Sequence, residues 1–444
     1  MDKGEGDHVT ISIKKTLMEL PPTNPESFLY KVPRLRRKMN ETVYTPQFIS
    51  IGPFHHGRPE LMAVEQYKLR ALKTYLARVN LKVEEAMSMT FSWEEKARSC
   101  YGHSIDMNKQ DFAKMMLLDG CFILEFMNST NYMDSLLSKG DHEEWIDGVL
   151  LIGVMDDVER DLIIFENQLP FFVLQQLYEL SFSSTKKSKD LTVNFMEWMA
   201  ELFISTTSGY ALPFKETTKV RHVVDLLRFY YIPSPETDEY NKFNDNEGIY
   251  SYQSPTITKL CETGIKVQRA MEADSMMDFS FKNGVLKIPP FRIHTNFEIQ
   301  IRNLIVSEIF NVVEGKKYIF HYLLLLDDLI KTEKDVSILM KEKIIINETD
   351  GSAEQVLKLI HNLHLIAPSY RPQSYFNNMS RDLDNYCEKR WQRSMASLRR
   401  SMASLKRDYF STPWAFISFL AATFLLILSL LQTLFSAPSI FHKK

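Results

Sequence analysis

The sequence predicts a mainly α protein: a multi-helix globular body with a minor β-hairpin and one C-terminal transmembrane helix. Three observations carry this. Apolar residues recur at helical spacing along most of the chain. Strand signals gather around a single Asn-Gly pair. The 22 residues Trp414–Phe435 (WAFISFLAATFLLILSLLQTLF) hold no charged side chain, and about 20 residues at 1.5 Å rise cross a hydrocarbon core of about 30 Å.

Taken in order, residues 1–27 are read as a disordered N-terminal tail. Met1–Leu20 lacks the apolar run of a signal peptide, and its mixed charges argue against a transit peptide. A helical body follows over residues 28–387. Leu61–Asn80 is amphipathic, with Leu61, Val64, Tyr67, Leu72, Tyr75, Leu76 and Val79 near one face. Asp111–Met127 reads as a strongly buried helix through Phe112, Met115, Met116, Cys121, Phe122, Ile123 and Phe126. Asp161–Leu180 is split at Pro170, with a second helix from there onward. Thr192–Ser205, Lys219–Tyr230, Glu298–Asn311, Tyr318–Lys331, Lys334–Glu342 and Ser352–Leu363 also carry helical patterns. Asn283-Gly284, between Met277–Phe281 and Val285–Ile288, signals a hairpin turn. Pro289-Pro290 interrupts Val285–Ile293, which is at best an edge strand. Ser181–Asp190 and Pro233–Pro255 read as polar loops; residues 233–255 either divide two helical subdomains or form an insertion in one.

The chain carries 53 cations and 56 acids, but they are unevenly spread. Seven cations, Lys389, Arg390, Arg393, Arg399, Arg400, Lys406 and Arg407, lie between Glu388 and Asp408, the two acids of that stretch. With Lys443 and Lys444 also set aside, residues 1–387 hold 44 cations against 54 acids. Such an acidic body is a poor binder of nucleic acid, which is held by neutralising phosphates. The basic stretch contains a tandem heptad, RSMASLR at Arg393–Arg399 and RSMASLK at Arg400–Lys406, with Met395, Leu398, Met402 and Leu405 at a/d spacing. Residues 388–408 are therefore read as a basic juxtamembrane amphipathic helix on the anionic cytoplasmic leaflet, touching lipid through the seven cations. A solvated spacer before the anchor is the alternative. Two heptads are too few for an independent coiled coil.

Residues 414–435 are the expected span and residues 436–444 a short tail. More cations precede the span than follow it, so the positive-inside bias places the body in the cytosol. A late span without a signal peptide implies tail-anchored insertion into the plasma membrane or endoplasmic reticulum. The expected partners are membrane lipid through residues 388–435 and a protein of unknown identity.

No catalytic signature, cofactor motif or zinc spacing is found, so no catalytic, cofactor-binding or metal residue is assigned and no cofactor is expected. Cys100, Cys121, Cys261 and Cys387 are unpaired by spacing and fit a reducing compartment, with Cys121 a buried thiol. Five residues form weak polar-cluster candidates. His55 and His56 lie in SIGPFHHG, where adjacent side chains diverge. Glu166 lies in FENQLPFFVL, where a carboxylate is expected to satisfy backbone or Arg donors. His222 and Asp225 lie at i,i+3 in RHVVDLLR, a stabilising pair more often than a proton relay. Glu298 and Arg302 at i,i+4 suit a helix salt bridge.

These same segments carry a resemblance. Val32-Pro33 with Arg36, Tyr44–Pro46, Ile49–Gly57 (ISIGPFHHG), Met115–Phe126 (MMLLDGCFILEF), Asp161–Leu174 (DLIIFENQLPFFVL), Arg221–Arg228, Leu260–Val267, Phe281–Ile293, Arg302–Glu308 and Arg407–Phe435 stand in order. On them the chain resembles the plant family known as domain of unknown function 247, single-span membrane proteins of the UPF 0481 type, from about Phe28 onward. It departs in the doubled RSMASL heptad and in Ile309 after Glu308, where similar proteins often have Gln. The resemblance implies no catalytic residues and no established activity; some grass members are implicated as pollen-side determinants of self-incompatibility. The expected function is that of a membrane-anchored, non-enzymatic recognition, signalling or scaffold protein. The alternatives are an enzyme with an unrecognised site near Glu166, His222 and Asp225, or such a pollen-side determinant.

Overall fold

A computed structural model of the protein describes residues 10–15, 17, 26–131, 148–181, 188–201, 203, 219–240, 253–310, 317–364, 374–409 and 413–436. Most of the expected disordered tail lies outside them; its residues 10–15 are helical and exposed.

The centre of the body is made by helices whose every side is apolar. Lys109–Asn131 (α4) buries all of Met115–Met127. Tyr318–Leu329 (α12) is buried along its whole length. A helix apolar all round is stable only inside others. Accordingly Glu65–Val79 (α2), Val83–Ser99 (α3) and Phe171–Leu180 (α6) pack on α4. Phe297–Phe310 (α11) and Ala353–His364 (α14) pack on α12, and Glu333–Lys341 (α13) packs on α14. Arg34–Arg37 (α1), Gly148–Leu162 (α5), Ser188–Glu201 (α7), Val223–Arg228 (α8), Pro235–Tyr240 (α9) and Ile257–Glu262 (α10) complete the body. Buried apolar residues from Leu29 to Cys387 form one cluster.

Several boundaries differ from the sequence reading, each for a local reason. The run at Leu61–Asn80 is a 3-10 helix, Pro59–Val64, feeding α2, which stops at Asn80 in the left-handed region with φ 51°. The helix expected from Asp161 is the last turn of α5, and residues 163–170 form a buried turn before α6. Helix α3 carries no apolar stripe that the sequence reading singled out, because its buried positions include Thr90 and Glu94 beside Ala86 and Ala97. Pro233–Pro255 contains α9, and Ser188–Asp190 begins α7; residues 241–252 and 182–187 lie outside the described residues.

Asn283 and Gly284, both at positive φ, turn Ser280–Lys282 (β2) into Val285–Ile288 (β3) as an antiparallel hairpin. Strand β3 is central rather than an edge: Lys266–Arg269 (β1) pairs parallel to its other side, giving the order β1-β3-β2. The prolines fall after β3, so they remove no ladder donor from it. Beyond them Phe291–Ile293 (β4) pairs parallel with Ile345–Asn347 (β5).

The basic segment is the outer part of a 33-residue helix, Asn377–Tyr409 (α15), which begins inside the body. Phe376, Met379, Leu383 and Cys387 are buried, and Tyr386 meets the Phe281 ring edge-on. From Glu388 to Arg400 every residue except Met395 is exposed. Pro413–Ser436 (α16) is long and apolar enough to cross a membrane, and none of Phe416–Thr433 is buried.

Candidate functional site

The turn at residues 163–170 and the loop at residues 45–57 meet between α2, α4 and α5, and nearly every polar group there is used to hold backbone. Asp161, at the end of α5, is fully buried and accepts the N–H groups of Gln47, Phe48 and Ile49 at 2.6–3.1 Å. Burial pushes its carboxyl up to about 6, against those N–H groups and Arg160. Asn167 accepts the Ile51 N–H at 2.7 Å and donates to the carbonyls of Ile49 and Asp161, both at 3.0 Å. Gln168 donates to the carbonyls of Leu162, Ile164 and Asn167, and its Oε1 accepts the Val224 N–H. Asn303 of α11 reaches in from the other side, accepting the Phe165 N–H at 2.9 Å and donating to Val43. Unpaired buried backbone groups are costly, so these side chains stand in for a ladder the loops cannot make.

Beneath the loop lies a group the sequence reading missed. Lys68, with no solvent exposure, places Nζ 2.7 Å from Asp119 Oδ1, 2.7 Å from Glu65 Oε1 and 2.6 Å from the Ser50 carbonyl. Asp119 Oδ2 accepts the Gly52 N–H at 2.8 Å. Burial lowers the Lys68 pKa, but the two carboxylates outweigh it and raise it overall, so the ammonium stays charged. The missed signal was phase: Lys68 stands at helical spacing between Val64 and Ala71, in the buried stripe of α2.

Four of the five candidates fall in two places. His55 and Glu166 come together, Nε2 to Oε2 at 3.3 Å, both buried. Glu166 also takes the Val32 N–H and the Arg37 guanidinium, the backbone and Arg donors expected of it. Burial would raise the Glu166 carboxyl, but His55, Arg37 and Val32 hold it below its usual value. Burial lowers the His55 imidazole more than Glu166 raises it. His56 is exposed and takes no part. His222 and Asp225 do meet, though through backbone: His222 is the N-cap of α8, and its Nδ1 accepts the Asp225 N–H at 3.0 Å. Its ring lies between Phe28 and Phe165, and burial drives its pKa down to about 3. The Asp225 carboxylate binds Arg221 and Arg228 instead, which, with His222, overcome burial and hold it at about 2.

The two places are therefore neighbours across Phe165, and in each a buried ring nitrogen, His55 Nδ1 or His222 Nε2, has no hydrogen-bond partner among the described residues. Phe28 and Arg221 also line a cavity of about 550 Å³ with Lys96, Cys100, Phe171 and Phe172, whereas cavities of about 890 and 340 Å³ are lined by residues of neither place. Among the described residues no three His, Cys, Asp or Glu side chains group as metal ligands. The expected Glu298–Arg302 bridge forms at 2.7 Å, and Glu308 accepts the N–H groups of Ile319 and Phe320 at the start of α12. The seven cations from Lys389 to Arg407 all lie on the exposed part of α15.

Residues 29–428 match the family DUF247, described as a plant protein of unknown function. A UPF0481 protein of Arabidopsis thaliana is 27% identical, with 99% of this chain and 92% of the relative aligned. A putative UPF0481 protein of the same plant is 21% identical over 91% of this chain and 89% of its own. No solved structure matches.

Proposed function

The chain belongs to the DUF247 family of plant proteins, and from that premise we propose that it is a membrane-anchored, non-enzymatic recognition or scaffold protein. The observation that carries this is α16, a helix of spanning length and apolarity whose surface no described part of the body covers, and which follows in sequence on a helix rooted in the core. An exposed apolar surface of that size calls for a non-aqueous neighbour. Asp161, Asn167, Gln168 and Asn303 are taken up in holding loops, which suits a rigid presenting body.

In this reading the body faces the cytosol of the plasma membrane or endoplasmic reticulum, since the cations precede the span. Of the seven cations from Lys389 to Arg407, Lys406 and Arg407 next to the span supply contact with anionic headgroups, at about 1 kcal/mol per basic residue near the surface. A protein partner is recognised by the body. The test is co-purification of the full chain from plant membranes after cross-linking. One saturable partner, retained by Glu166→Gln and His222→Asn variants that still fold, supports the proposal. Turnover of a substrate that both substitutions abolish contradicts it.

A further inference from the structure

We infer that the exposed half of α15 is a parallel pairing surface for a second copy of this chain. Trp391, Met395, Leu398, Met402, Leu405 and Tyr409 follow one another at alternating spacings of four and three residues, nearly three heptads of a/d positions on one uninterrupted helix. The tandem repeat supplies only the middle four; Trp391 and Tyr409 extend the stripe in both directions. Trp391, Leu398 and Met402 are 64%, 57% and 70% exposed, so no described part of the body covers them.

The charge pattern selects the occupant. In this register the positions flanking the stripe are Gln392, Arg399 and Lys406 on one side and Ser394, Ser401 and Asp408 on the other. A parallel pair sets Ser394 against Arg399 and Ser401 against Lys406, so no like charges meet. An antiparallel pair would oppose cation to cation along one side. Parallel is also the orientation that two spans in one bilayer share. Lipid fits the same stripe less well. Arg393, Arg400 and Arg407 recur every seven residues on the opposite face. With the stripe pressed into a leaflet these three would point away from the headgroups.

The body leaves room for the partner. Met379, Leu383 and Cys387, which dock α15 on the core, lie about a quarter turn around the helix from the stripe at 3.6 residues per turn. In a two-fold pair the bodies therefore fall on opposite sides of the seam. About 20 residues are marginal for pairing in free solution, and confinement of both chains to one membrane raises their effective concentration. The inference rests on the anchoring reading above.

The test uses the full chain in vesicles of phosphatidylcholine with phosphatidylserine, oxidised after single substitutions Met395→Cys, Leu398→Cys or Arg400→Cys. The unaltered chain reports the background from its native cysteines. Disulfide dimers should form at least tenfold faster at 395 and 398 than at 400. Adding Leu398→Lys to Met395→Cys should reduce dimers to the level at 400; that side chain touches no part of the core, so folding is preserved. Equal rates at all three positions overturn pairing. So does an apolar shift of a fluorophore attached to the Leu398→Cys variant without dimers, which would assign the stripe to lipid. A chain that does not float with the vesicles removes the anchoring reading and this inference with it.

Discussion

Replacing Lys68 with methionine isolates what the buried ion group contributes. The substitution keeps the length and most of the apolar stem of the side chain. It strips Asp119, 1% exposed, of its 2.7 Å partner and the Ser50 carbonyl of its 2.6 Å donor, while Gly52 still donates to Asp119. Removing one member of a buried pair costs about 3–5 kcal/mol, since the other charge is left in a poorly solvating site. That is at least about a fifth of the 5–15 kcal/mol stability of an ordinary domain. Asp119→Asn alone removes the counter-charge but keeps an oxygen for Gly52, and Glu65 still pairs with Lys68; about 1–2 kcal/mol is expected. In the double variant no charge is stranded at Asp119, so the loss should fall short of the sum of the single losses by about 2 kcal/mol. Urea unfolding of the full chain in mild detergent, followed by tryptophan fluorescence, gives all four corners of the cycle. Losses that add to within about 0.5 kcal/mol would refute the coupling, and with it the claim that Lys68 is held by Asp119 under the loop.

Two further outcomes follow from the same region. Gly52 sits at φ +73°, and a Cβ there would overlap the backbone oxygen of Gln168; Gly52→Ala should cost more than the about 1–3 kcal/mol of left-handed strain alone, read as a lowered urea midpoint. His222, neutral down to about pH 3 when folded, has an unfolded pKa of about 6.5. Its folded value is depressed, so the unfolded chain binds the extra proton between those limits. The site's contribution is complete above about pH 6.5 and is lost as pH falls, by about 1.4 kcal/mol per unit. His222→Asn keeps an N-cap acceptor and should flatten the stability profile between pH 6 and 4.5 by that slope; parallel profiles would refute it.

What could be read from sequence depended on how each element buries itself. Helix α4 was legible because its core face is Phe112, Met115, Met116, Cys121, Phe122 and Phe126 in helical phase. Helix α3 was not, because Thr90 and Glu94 sit among its buried positions. The hairpin at Asn283-Gly284 was fixed by two positive φ angles that few other residue pairs tolerate. The parallel partner β1 lies outside the hairpin and has only four residues, too few for periodicity to reveal. At the polar site, the chemistry of Glu166 was legible as a need for donors; that His55, Arg37 and Val32 would meet it was not, since pairing across more than a hundred residues leaves no local trace. Lys68 was passed over because a lysine on an amphipathic helix is ordinarily on the wet face.

The proposed function depends on a cytosolic body held at a membrane by α16. The most direct test is topology, for which the chain carries its own reporters: Asn40, Asn128, Asn347 and Asn378 head N-x-[ST] sequences in the body, and none of the four is buried. The full chain expressed in plant cells should show no mobility shift with endoglycosidase, and protease added to sealed microsomes should digest the body. A glycosylated, protease-protected body would contradict the account and place the recognition surface on the far side of the membrane.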